Sequence, residues 1–107
     1  MTDLKTVVRY SELLNLYQNL LSQTQKEIME DYFFYNLSFS EIAENRKISR
    51  AAVEDAIKKG KKKLDEYEEK LCSLKILQLI HTAKSETTDQ EIASKLEEAE
   101  RIMKHGI

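Results

Sequence analysis

The chain has 107 residues, 41% apolar and 34% charged, with a formal net charge of −2, one cysteine, two glycines and no proline. That length suits one domain with a modest core, and the single cysteine excludes an internal disulfide. With so little Gly and Pro there is nothing to punctuate strands or long loops, and abundant Ala, Leu, Glu, Lys and Gln favour helix, so the expected fold class is all-α.

Residues 4–21 read as a first helix with two adjacent apolar stripes. Val7, Tyr10, Leu14, Tyr17 and Leu21 form one, and Val8, Leu13, Leu16 and Leu20 the other. A helix this widely apolar must bury more than one face. Ser22 and Thr24 are alternative N-caps for a second helix over residues 25–35, with Asn36 as its stop. Its aromatic cluster, Tyr32 to Tyr35, shares a stripe with Ile28 and Met29 and reads as core filling rather than a stacking platform for bases.

Residues 38–64 have the grammar of two helices joined by a tight turn. Ser38 with Glu41 forms a capping box, in which the Ser hydroxyl and the Glu carboxylate each satisfy an orphan amide. Ile42 and Ala43 follow, then the polar run Glu44 to Lys47, then Ile48. Ser49 is the N-cap candidate for the next helix, whose Ala52, Val53, Ala56, Ile57, Gly60 and Leu64 fall on one face. No breaker appears before residues 85–88, so this helix is expected to run over residues 50–84, on the order of 50 Å. Gly60 on its apolar stripe implies either close approach of another helix or a kink. The run Asp65, Glu66, Glu68 and Glu69 reads as a solvated face. A last helix over residues 89–104, capped by Thr87 or Thr88, is expected to fold back as an antiparallel hairpin. Surplus apolar surface on the first helix and on residues 71–80 suggests a two-fold homodimer.

The run Leu37-Ser-Phe-Ser-Glu-Ile-Ala, followed by Ile48-Ser-Arg and Val53, resembles region 4 of bacterial sigma-70 factors. The wider match, residues 17–71, looks like the YlxM family of small bacterial helix-turn-helix proteins. The resemblance implies a helix-turn-helix region with its N-terminal helix over residues 1–71, a helical extension over 72–107, and one structural domain overall. It also implies a part in the signal recognition particle pathway, as a regulator. The chain departs from the sigma pattern at the turn, where Arg46 and Lys47 replace a large apolar residue and Gly or Asn. Lys47 there would take a left-handed conformation that glycine adopts freely.

Chemistry-bearing constellations are sparse. His81 and His105 are isolated, and there is no phosphate loop, nucleophile elbow or acid–base pair, so the expected protein is non-enzymatic, without metal or cofactor. No secretory leader pattern is visible, and the richest apolar run, residues 71–80, is interrupted by Ser73, Lys75 and Gln78, so a cytoplasmic protein with no membrane partner is expected. Cys72 reads as a small apolar packing residue.

Two functions remain open at this level. In the first, Arg50 at the start of the recognition helix reads base edges, with Ser49 beside it. Arg46, Lys47, Lys58, Lys59, Lys61 and Lys62 then hold phosphates. In the second, the helix-turn-helix is architectural, and the basic or apolar faces dock on a protein or RNA of the signal recognition particle. Glu54 and Asp55 on the exposed face, and a net charge of −1 over residues 24–71, weigh against the first.

Overall fold

The computed structural model describes residues 3–107, which form six α-helices with no strand among them. α1 (Leu4–Tyr17) starts at Asp3, whose carboxylate accepts from the Thr6 amide, and ends in a 3₁₀ turn, Gln18–Leu20. α2 (Gln23–Phe33) is capped by Ser22, not Thr24. α3 (Phe39–Arg46) carries the full Ser38–Glu41 capping box, and α4 (Arg50–Leu71) is capped by Ser49. α5 (Ser73–Glu86) and α6 (Gln90–His105) make the C-terminal hairpin.

α4 is the axis of the body, and α1, α2 and α3 all pack against it. Its buried stripe is Val53, Ile57, Gly60 and Leu64. The helix is continuous through Gly60, and α2 comes close there: a Cβ on Gly60 would sit 2.5 Å from Met29 Sδ. Leu13, Leu14, Tyr17, Met29, Ile42, Val53 and Leu64 are the fully buried centre of the core. Both stripes contribute, although Val8 in the second turn of α1 and Leu20 in the 3₁₀ turn after it remain exposed. The aromatic cluster does fill the core around Phe33, which lies 5.6 Å from Tyr10 and 4.9 Å from Tyr32 between ring centroids. Phe34 and Tyr35 point outward instead.

The helix expected over residues 50–84 is broken at Cys72, which takes left-handed φ 54°, ψ 23°. The break is stabilised by distant groups. Glu68 Oε1 accepts from the Tyr17 hydroxyl at 2.6 Å and from Leu74 N–H at 3.1 Å, while Oε2 accepts from Lys75 N–H at 3.1 Å. The Tyr17 oxygen in turn accepts from Ser73 N–H at 3.1 Å. Glu68 and Tyr17 thus satisfy the first amides of α5, which has no side-chain cap of its own. Burial, and then the hydrogen bond to Glu68, raise the Tyr17 phenol above its ordinary value, so it stays a donor. Asp65 likewise leaves the solvated face: it accepts from Tyr10 at 2.8 Å and pairs with Arg9 at 3.1 Å. Glu66 and Glu69 remain exposed.

α6 is capped by Asp89, which accepts from the Glu91 and Ile92 amides; neither Thr87 nor Thr88 takes that place. Lys84 and Glu100 pair at 2.8 Å across the hairpin. Met103 and Ile107 return to the core, and Asn19 donates to the Ile107 carbonyl at 3.3 Å. The molecule measures 54 × 24 × 21 Å with a radius of gyration of 16.4 Å. A compact chain of this length would have about 13 Å, and the excess reflects the 22-residue α4 and the projecting hairpin.

Candidate nucleic-acid interface

The turn between α3 and α4 is three residues, Lys47, Ile48 and Ser49, because α3 continues through Arg46. Lys47 adopts φ 55°, ψ 45°, a left-handed cap conformation of the kind glycine adopts freely. Ile48 N–H reaches back to the Ala43 carbonyl at 3.1 Å, closing α3 in the manner of a left-handed cap. The Ser49 hydroxyl then accepts from Ala52 N–H at 3.0 Å and opens α4. A lysine in this conformation costs about 1 kcal/mol relative to Gly, and the hydrogen bonds on both sides hold it.

Ser49 is therefore a cap, and its hydroxyl is engaged with the backbone. Arg50 follows on the open side of α4, 66% exposed, with Nε 3.4 Å from Glu54 Oε1. Lys59 pairs with Asp55 at 2.9 Å. Lys61 turns toward α1, its ammonium 5.4 Å from the Tyr10 ring centroid and 6.0 Å from that of Phe33. Lys63 donates to the Gln25 side-chain carbonyl at 3.1 Å. Lys58 and Lys62, at i and i+4 on the exposed side, have no ion pair among the described residues. Lys47 is exposed at the turn in the same condition.

Arg46 is placed otherwise. Its Nε donates to Asp31 at 2.7 Å and its Nη1 to Glu27 at 3.3 Å, tying the end of α3 to α2. The Asp31 hydrogen bond raises the guanidinium further above its ordinary value, against a smaller effect of burial. The structure thus leaves Lys47, Arg50, Lys58 and Lys62 exposed, with Arg50 and Lys62 about 18 Å apart along α4 and about 120° apart around it. Arg46 and Lys61 are held inward, and Lys59 is neutralised at the surface. Asp31 and Glu27 as partners of Arg46 had no signal in local spacing, since they lie 15 and 19 residues away.

At the start of α4 the charges cancel in pairs, Arg50 with Glu54 and Asp55 with Lys59. Lys58 and Lys62 add positive charge further along, before exposed Glu66 and Glu69 return it. Such a surface suits a short electrostatic footprint with a polar, hydrogen-bonding tip. Among the described residues no three His, Cys, Asp or Glu groups gather as metal ligands, and no helix is long and apolar enough to cross a membrane.

A family profile described as "Putative helix-turn-helix protein, YlxM / p13 like" matches residues 4–105. A UPF0122 protein of Fusobacterium nucleatum is 40% identical over 98 residues, covering 92% of each chain. The UPF0122 protein YlxM of Bacillus subtilis is 36% identical over 108 residues, covering 94% of this chain and 98% of its own. A UPF0122 protein of Bacillus velezensis is 38% identical over 100 residues, covering 94% of this chain and 89% of its own.

Proposed function

As the chain belongs to the YlxM/p13-like family of helix-turn-helix proteins, we propose that it is a non-enzymatic, cytoplasmic DNA-binding regulator. The observation that supports this reading best is the open N-terminal half of α4. It is set by a fully capped turn and presents Arg50 and Lys58, with Lys47 in the turn before it and Lys62 further along the helix. In this reading α4 enters the major groove, Arg50 reaches base edges, and the three lysines meet phosphates. The exposed Ile76, Leu79, Ile92 and Ile102 of the hairpin are assigned to a second copy of the chain, which would pair two α4 helices on a two-fold site.

A second reading draws on the charge cancellation at the start of α4. The helix-turn-helix is then architecture, and Lys58 and Lys62 serve an RNA or protein of the signal recognition particle, as the family resemblance implies. Fluorescence anisotropy of the purified chain against a mixed-sequence duplex and a structured RNA, across a salt series, separates the two. The DNA reading expects duplex binding with a log–log salt slope of about −2 to −3 per chain, for two or three phosphate contacts each, and about twice that for the two-fold pair. Arg50→Ala should remove any sequence preference. Binding of RNA alone would replace the first reading by the second, and the mass from light scattering tests the second copy.

A further inference from the structure

We propose that Glu54 is a base-discriminating residue, acting with Arg50 as one recognition unit for a guanine and a nearby cytosine. This rests on the DNA-binding reading above. Arg50 and Glu54 lie at i and i+4 near the start of α4, side chains 66% and 51% exposed, with Nε and Oε1 3.4 Å apart. An exposed pair of this kind adds little to helix stability. Its position is the informative part, because the first turns of a recognition helix are those that approach base edges.

The chemistry follows from the two groups. A guanidinium donates to guanine O6 and N7, whereas a carboxylate only accepts and so pairs with the amino group of cytosine N4. Glu54 therefore faces repulsion from thymine O4, from guanine O6 and from every phosphate. It weakens non-specific binding and sharpens the choice among sites. The rise between i and i+4 is about 6 Å, close to two base-pair steps, so the guanine and cytosine fall within about two pairs of each other. Before binding, Glu54 lies beside the Arg50 guanidinium, so the two groups reach the duplex together. Asp55 is not part of this unit: it lies about 100° further round the helix and pairs with Lys59, not with Arg50.

The test uses the full chain and a pool of duplexes with a randomised centre, from which bound sequences are selected. Anisotropy then compares the preferred duplex with one in which the cytosine pair is exchanged for T·A. Wild type should prefer the former by about tenfold. Glu54→Ala should tighten binding to the mixed-sequence duplex by about two- to fivefold at low salt and reduce the cytosine preference to less than about twofold. Glu54→Gln, which keeps the shape and loses the charge, should fall between the two. If Glu54→Ala tightens every duplex equally and the cytosine preference survives, Glu54 is only a surface charge and the inference is overturned. Duplex binding by wild type with no selected sequence also overturns it while leaving the DNA reading standing. No duplex binding at all overturns both.

Discussion

The body formed by α1 to α4 and the hairpin formed by α5 and α6 use similar residues to opposite effect. Among the described residues every buried apolar side chain except Leu77 lies before Cys72. α6 has none, and Ile92 and Ile102 stand 48% and 66% exposed. The body closes a core because three helices, α1, α2 and α3, converge on α4, so each apolar stripe meets another. The hairpin is two helices with a single shared seam, anchored at its base by Leu77, Met103 and Ile107 and elsewhere by the Lys84–Glu100 pair. Amphipathic sequence is thus necessary for a core, and the number of partners decides whether one forms.

The largest test of this contrast is Leu64→Ala against Ile102→Ala. Leu64 is fully buried, and its truncation should cost about 3 kcal/mol in urea unfolding. Ile102→Ala should stay within about 0.5 kcal/mol for the isolated chain. Equal losses would mean that the hairpin is as well packed as the body. Next comes the cap of α6. Asp89→Ala should destabilise that helix by about 1 kcal/mol, seen as faster amide exchange confined to α6. If exchange instead accelerates through α4, the two regions unfold as one unit.

The smallest effect concerns acid. Hydrogen bonding from Lys84 holds the Glu100 carboxyl below its ordinary 4.5. A lowered folded-state value means that the pair's contribution is present above about pH 4.5 and fades as the pH falls below it. Thermal melts of wild type and Glu100→Gln from neutral pH to pH 3 should therefore differ slightly at neutral pH and converge in acid. A constant difference would remove the ion pair as the cause.

What the sequence disclosed follows the range of each interaction. The Ser38–Glu41 box and the Ser49 cap are contacts three residues apart, and both stand as read. The left-handed Lys47 followed only from the sigma-like pattern, which suggested a looser turn; the turn is instead closed by Ile48 N–H on the Ala43 carbonyl. The break at Cys72 was not, because no Gly or Pro marks it and its support, Tyr17, lies 51 residues from Glu68. Glu68 and Asp65 looked solvated for the same reason: the α1 hydroxyls that claim them are invisible to local spacing. Asp89 was passed over because Thr87 and Thr88 offered competing capping boxes. At the candidate interface, Arg50, Lys58 and Lys62 could be placed from helical periodicity. The diversion of Arg46 to Asp31, and of Lys61 to the Tyr10 ring, needed the folded neighbours.

The joint at Cys72 also has a bearing on the order of folding. The first amides of α5 are satisfied by Glu68 together with the Tyr17 hydroxyl, so the start of that helix is complete only once α1 has docked on α4. Contacts between α5 and α6 are short-range and quick to form, whereas the seam that orients them closes a loop of more than fifty residues. The hairpin therefore gains its fixed direction last. The direction of the hairpin thus depends on a side chain of α1 and not on the sequence of α4 and α5 alone.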